Sequence, residues 1–346
     1  MDLSTLIRKN ILNLKPYSCA RDEFKGEASI FIDANESPFD TSINRYPDPL
    51  QKELKEVIAK IKNIPSENIF LGNGSDEPID LAYRVFCEPG IDNVTAIDPT
   101  YGMYKVCADI NNIEYRNVTL SNEYHLISEK ILEKVDNNTK IIWICSPNNP
   151  TGNLLDENEI TKILNSFNGI VIIDEAYIDF AQQDSWITKL PNFKNLIVLQ
   201  TLSKAWGCAA IRLGMAFASN EIINVLNKVK YPYNINILTQ QQALIQLSKI
   251  EKTKENISYI LLQREILSNE LKHISIVEKV YKSDSNFLLV KVKNANATYN
   301  YLAQNGIIVR NRNNITLCDN CLRITIGLAH ENEKLIASLK TFAANC

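Results

Sequence analysis

The sequence has no apolar run of the ~20 residues that a membrane-spanning helix needs, and it has no surplus of positive charge. Lys and Arg total 37 against 40 Asp and Glu, a net charge of -3. That balance argues against a nucleic-acid partner, which calls for a basic face. The opening stretch MDLSTLIRKNILNLKPYS lacks the continuous apolar segment of a secretory signal. Both absences lead to the expectation of a cytoplasmic protein. Eight cysteines in 346 residues are too sparse for a disulfide scaffold. The three histidines, His125, His273 and His330, are scattered, and the lone CxxC of Cys318 and Cys321 lacks a second pair. No metal site is therefore expected. No GxGxxG follows an early strand and no Gly-Lys-Ser/Thr occurs after a glycine-rich turn, which disfavours dinucleotide and nucleoside-triphosphate chemistry.

What is present is a series of short apolar runs rich in Ile, Val and Leu: 68–72, 93–97, 140–145, 169–177, 195–200 and 214–219. They are nearly continuous rather than alternating, the pattern of strands buried on both faces of a parallel sheet. Helical patterns lie between them. Residues 50–61 place Leu50, Leu54, Val57, Ile58 and Ile61 on one face. Residues 75–88 open with Ser75, two acids and Pro78, which are helix-start signals. This alternation predicts an α/β fold. Beyond about residue 236 the texture changes to one long helical stretch (236–272), a strand (285–292), a helix (296–305), the runs 306–310 and 321–327, and a closing helix (330–344). That reads as a smaller α+β unit.

Ligands of open parallel sheets bind beyond the carboxyl ends of the strands, and the residues that follow each run form an informative set. Asn73-Gly74-Ser75-Asp76 enters a helix and fits either a plain turn with its cap or an anion cradle. SPNNPTG (146–152) holds Asn148 and Asn149 in a rigid turn, and an Asn there suits a ligand with a phenolic oxygen. Asp174 ends a strongly apolar run, so it is expected to be buried and to need a cation or several donors. TLSKAWGCAAIRLG (201–214) carries Lys204 in apolar and hydroxylic surroundings, with Arg212 as the next charge. Lysine is seldom buried without a partner. Thr201, Ser203 and Arg212 together suit a phosphate, which Arg grips bidentately. One ligand uses the whole set: pyridoxal phosphate, whose aldehyde takes an amine, whose ring nitrogen takes an acid, and whose phosphate takes a helix N-terminus, hydroxyls and Arg.

The spacing Asn149, Asp174, Tyr177, Ser203-Lys204, Arg212 resembles the fold-type I pyridoxal-phosphate aminotransferases. LKPY (14–17), DANESP (33–38), RYPDP (45–49), GNGSDE (72–77), PTYGMY (99–104), DEAYIDF (174–180) and LRITIG (322–327) narrow the likeness to the histidinol-phosphate aminotransferase family. Trp206, Cys208 and Ala209 depart from that family's usual residues and leave Lys204 and Arg212 in place. A phosphothreonine decarboxylase of the same fold shares much of the motif set, but LKPY and PTYGMY favour amino transfer.

The resemblance implies a large domain with a mostly parallel central sheet over 29–240, a small α+β domain over 241–346, and an N-terminal arm over 1–28 that packs near the small domain and the site. It implies reversible ping-pong transfer between L-histidinol phosphate and 2-oxoglutarate. Lys204 would join the cofactor's aldehyde, Asp174 would pair with the ring nitrogen, Asn149 and Tyr177 would hold the ring's 3-oxygen, and Tyr101 would stack on the ring. Ser75, Asp76, Thr201, Ser203 and Arg212 would hold the phosphate. Tyr46 would reach that phosphate from a partner subunit, which makes the expected assembly a homodimer with shared sites. Arg323, with Arg310 or Arg312 and Tyr17, would bind the substrate's anionic end.

Overall fold

The computed structural model describes residues 3–19, 23, 24, 26 and 28–345. Part of the expected N-terminal arm, residues 1, 2, 20–22, 25 and 27, lies outside the described residues.

Seven strands build the main sheet: β1 (Ile69–Asn73), β2 (Asn93–Asp98), β3 (Glu114–Thr119), β4 (Thr139–Cys145), β5 (Ile170–Asp174), β6 (Leu196–Thr201) and β7 (Leu213–Phe217). Their order is β1-β7-β6-β5-β4-β2-β3. Neighbours from β6 across to β3 are parallel, and β7 runs antiparallel to both β1 and β6. The central strands are apolar along their whole length because both faces are covered. Alternate residues of one strand enter different cores: Ile142, Val171 and Val198 pack on one side, Trp143, Ile172 and Leu199 on the other. β3 is the exposed edge and reads EYRNVT, too polar to stand out as a strand in the sequence.

The second sheet is antiparallel, in the order β10-β11-β9-β8, with β8 Val277–Val280, β9 Phe287–Val292, β10 Arg310–Asn311 and β11 Cys321–Thr325. Its own core includes Leu288, Val290, Leu322, Ile324 and residues of the closing helix Ala329–Ala344. The run 306–310 pairs only at its end. Ile307 and Val309 pack against this core while Ile308 stays exposed, so its apolar residues serve packing rather than a ladder.

The expected single helical stretch over 236–272 is two helices, Ile237–Leu247 and Ile250–Lys272. The Ser248 hydroxyl donates to the Ile245 carbonyl at 2.8 Å, the local competition by which serine ends helices. The first of the two lies against the Lys204 loop, where Gln246 Nε2 donates to the Trp206 carbonyl at 3.0 Å and the Thr239 hydroxyl to the Ile211 carbonyl at 3.1 Å. The second supports the small sheet. No helix of the described residues is long and apolar enough to cross a membrane.

A second buried acid follows Asp174. Glu175 is 1% exposed and accepts from the Trp186 N–H at 2.8 Å, from Gln200 Nε2 at 2.9 Å and from the Ser185 hydroxyl. These bonds tie the 3-10 helix Trp186–Asn192 to the sheet. Burial pushes its carboxyl up to about 7, against the pull of those three donors. The folded state then keeps a proton that the unfolded chain releases, so this group's contribution to stability falls as pH rises from about 4.5 to about 7. Glu175→Gln removes the titration. Urea denaturation of both proteins should show the variant gaining on the wild type across that window, by at most about 3 kcal/mol. A difference that stays flat with pH would contradict this.

Candidate active site

The carboxyl ends of β1, β4, β5 and β6 meet the small sheet around a cavity of about 640 Å³. Each wall comes from a different strand end, so residues far apart in sequence share one space.

Asp174 lies at the floor, at the last position of β5, and is 2% exposed. Its carboxylate accepts from the Tyr104 hydroxyl at 2.7 Å and from the Ala176 N–H at 3.0 Å. Burial raises its pKa, and those two donors oppose the rise. Tyr101 stands beside it, edge-on to the Tyr104 ring at 5.6 Å, with its hydroxyl donating to Asp76 Oδ1 at 3.2 Å.

Lys204 is exposed, which differs from the burial its neighbours in sequence suggest. What it faces is the concave interior of the cavity, and its Nζ lies 5.6 Å from the centre of the Tyr177 ring. The surrounding protein still strips enough water from the amine to lower its pKa. Arg323 and Arg212 push the same way, and Asp174 and Asp76 oppose them. Asn149 and Tyr177 are both buried, and Asn149 Nδ2 donates to the Tyr177 hydroxyl at 3.3 Å.

An anion cradle forms where β1 and β7 run side by side. Gly74 has φ +70° and its N–H donates to the Arg212 carbonyl at 2.5 Å. Arg212 itself has φ +54°, a conformation costly for a side chain with a Cβ and of the kind held at functional sites. Its guanidinium reaches Asp76 Oδ2 at 3.3 Å and Ser203 Oγ at 3.4 Å, and the Thr201 and Ser203 hydroxyls are 2.9 Å apart. Ser75 sits at the N-cap of the helix Asp76–Phe86 with no side-chain capping bond. That leaves hydroxyls, a guanidinium and a helix N-terminus around one spot, the donor set a phosphate needs.

On the opposite wall Arg310 and Arg323 face each other across β10 and β11, and Arg312 is adjacent. Arg323 Nη1 donates to Asn149 Oδ1 at 2.5 Å, which links the two sheets across the cavity. Burial and the other two guanidinium groups lower Arg312 to about 10, and burial lowers Arg323. Arg312 Nε is buried with no hydrogen-bond partner among the described residues. Three cations this close, one with an orphaned donor, are arranged for an incoming anion.

Of the residues singled out from the sequence, Ser75, Asp76, Tyr101, Asn149, Asp174, Tyr177, Thr201, Ser203, Lys204, Arg212, Arg310, Arg312 and Arg323 line this one cavity. Tyr17 and Tyr46 do not line it. Tyr17 is exposed, and Tyr46 stacks on Tyr233 at 4.4 Å. Among the residues not picked out from the sequence are Tyr104, which reaches Asp174 from behind the cavity and whose spacing of three from Tyr101 was the available signal, and the apolar lining residues Val106 and Ile315.

An amine, a buried acid, a phosphate cradle and an arginine wall around one cavity define a site for amino-group chemistry with a phosphorylated cofactor. The family model for aminotransferase class I and II matches residues 30–339, and the chain belongs to that family. It is 56% identical to the histidinol-phosphate aminotransferase of Bacteroides thetaiotaomicron over 98% of this chain and 99% of that one. The fold is similar to that of the histidinol-phosphate aminotransferase from Clostridium acetobutylicum, with TM-score 0.82 and 25% identity over 88% of this chain and 92% of that one. It is also similar to the enzyme of that name from Sinorhizobium meliloti in complex with pyridoxal-5'-phosphate, with TM-score 0.81 and 21% identity over 88% of this chain and 84% of that one.

The cradle depends on the close approach of β7 to the turn after β1. A Cβ at Gly214 would fall 2.2 Å from the Gly74 carbonyl carbon and 2.3 Å from the Ser75 nitrogen. Those are backbone atoms, so nothing flexible can yield. Gly214→Ala should cost about 1–3 kcal/mol or more in unfolding free energy and weaken phosphate binding at the cradle. Thermal unfolding and equilibrium dialysis with pyridoxal phosphate would check both. An unchanged melting temperature with unchanged binding would contradict the account.

Proposed function

We propose that this chain is a pyridoxal-phosphate-dependent aminotransferase that moves an amino group between L-histidinol phosphate and 2-oxoglutarate, giving imidazole acetol phosphate and L-glutamate, a step of histidine biosynthesis. The observation that carries the reading is the placement of Lys204, Asp174 and the Arg212 cradle around one cavity whose far wall is three arginines. The relatives named above support the particular substrate.

The residues fit the cofactor. Asp174 would meet the ring nitrogen, Asn149 and Tyr177 the 3-oxygen, Tyr101 the ring face, and Ser75, Asp76, Thr201, Ser203 and Arg212 the phosphate. When bound, pyridoxal phosphate supplies an aldehyde that takes up the amino group and a ring that accepts the electron pair left at Cα. Lys204 Nζ, which faces the cavity, would take the proton from the substrate's Cα and hold it for return to the cofactor side. A base for this work functions best with a pKa near the working pH, and the burial and positive neighbours that lower Lys204 act in that direction. Asp174 would keep the ring nitrogen protonated by presenting a negative oxygen to it.

Arg323, with Arg310 or Arg312 beside it, receives the anionic end of each substrate in turn. A guanidinium fork fits both the carboxylate of glutamate and the phosphate of histidinol phosphate. One pocket can then serve both half-reactions, which gives ping-pong kinetics.

Tyr46 enters this reading through a second copy of the chain, and Tyr17 through the arm beside Arg323. Ile30, Ile32 and Phe39, from the segment that leads to Tyr46, and Tyr231, two residues before its stacking partner Tyr233, are all more than half exposed, and a homodimer would cover them. Residues 29–240 act as the cofactor-binding domain, 241–346 as the small domain and 1–28 as an arm. Small phosphorylated substrates suit a cytoplasmic setting. Sedimentation equilibrium should give twice the chain mass, and a monomer at working concentration would remove the shared-site part of the reading.

The direct assay mixes the holoenzyme with histidinol phosphate and 2-oxoglutarate and measures glutamate. Lys204→Ala should lower turnover by about 10²–10⁴-fold or more, and Arg323→Lys should raise the KM of both substrates by about tenfold. No glutamate from the wild type, normal turnover in Lys204→Ala, or an effect of Arg323→Lys on glutamate alone would each count against the proposal.

A further inference from the structure

Tyr104 does not line the cavity, yet it makes the shorter of the two bonds to the acid at the cavity floor. The residue is fully buried in the helix Met103–Ile110. Its ring lies flat on Trp143 at 4.7 Å with an interplanar angle of 12°, and Tyr83 stacks on the other part of Trp143 at 5.5 Å. The Tyr83 hydroxyl in turn donates to the Tyr104 carbonyl at 2.7 Å. Stacking therefore fixes the ring, and a backbone bond fixes the turn of helix that carries it. The phenol has one oxygen to aim, and it aims at Asp174 Oδ2.

Packing alone does not require this. A phenylalanine would fill the same space against Trp143 and would leave a buried carboxylate one donor short. We propose that Tyr104 is a positioning residue for the cofactor's ring nitrogen: its hydroxyl holds the Asp174 carboxylate ionised and in one orientation, ready for the pyridinium. The inference rests on the reading that Asp174 meets that nitrogen.

The physical basis is a conflict at the cavity floor. Burial drives Asp174 toward its neutral form, and the Tyr104 bond is the first force that opposes it. The same burial keeps the phenol itself protonated, so it remains a donor. A neutral Asp174 would attract a protonated ring nitrogen far less than a carboxylate does. Tyr104 thus contributes to cofactor binding without touching the cofactor.

A double-mutant cycle on the dissociation constant of pyridoxal phosphate tests this, with wild type, Tyr104→Phe, Asp174→Asn and the double variant each stripped of cofactor and titrated. Tyr104→Phe should weaken binding about tenfold in the wild-type background, the effect of losing one hydrogen bond to a charged group. In the Asp174→Asn background the same change should alter binding less than about twofold, because the carboxylate through which it acts is gone. Thr298→Val removes a buried hydroxyl that donates to the Asn294 carbonyl at 2.7 Å, in the small domain and away from both Tyr104 and Asp174. It should lower the melting temperature about as much as Tyr104→Phe and leave cofactor affinity unchanged. Equal losses in both backgrounds, or a Tyr104→Phe protein that binds as the wild type does, would overturn the inference while leaving the aminotransferase reading intact. Wild-type affinity in Asp174→Asn would instead sink the assignment of Asp174, and this proposal with it.

Discussion

A single carboxylate sits where β5 runs out, with an apolar sheet behind it and a cavity in front. Asp174 is costly to keep there, since a buried charge without partners drives itself toward neutrality. Much of the surrounding structure answers that cost. The Ala176 N–H turns back to it, Tyr104 is locked by stacking on Trp143 to reach it, and Lys204 brings positive charge toward it. Remove the acid and the Tyr104 hydroxyl loses the acceptor it is aimed at. Keep it, and the cavity has a fixed negative pole around which a cationic ring nitrogen can be held.

Positive charge is the complementary constraint. Arg212 is held by a left-handed backbone and a glycine-to-glycine contact between β1 and β7, and Arg310, Arg312 and Arg323 come from the small sheet. The cavity is therefore built from two sheets, and the distance between them matters. Arg323 to Asn149 is one tie across it. Asp284 supplies another, donating its N–H to the Gly152 carbonyl at 2.7 Å and accepting from the Leu154 N–H at 2.8 Å. A third runs from the Tyr124 hydroxyl to the Leu317 carbonyl at 2.7 Å. Two of these ties end on the turn that presents Asn149, so a single turn joins the wall built by the large sheet to the wall built by the small one.

Much of the architecture was legible in the chain. Strands covered on both faces must be apolar throughout, so β1, β2, β4, β5, β6 and β7 announced themselves as Ile-, Val- and Leu-rich runs. β3 and β8 did not, because an edge strand needs only one apolar neighbour and tolerates charge. The break between Leu247 and Ile250 was hidden for a local reason: one serine hydroxyl turning to a backbone carbonyl leaves the helical spacing on either side intact.

The same division holds at the site. Residue type and position after a strand were enough to pick out Lys204, Asp174, Asn149 and Arg212 as candidates, because a strand's end fixes where its next side chain can point. The sequence could not say that Lys204 looks into open space. Burial of one side chain depends on what the rest of the chain leaves empty around it. Nor could it say that Tyr104 and Asp174, 70 residues apart, share a hydrogen bond, or that three arginines from β10, β11 and the turn between them converge on one wall. Short-range pattern determined the strands, the turns and the chemical types on offer. Only tertiary structure decided which charges face each other, since electrostatic interaction depends on distance and on excluded water, and neither is written in the order of residues.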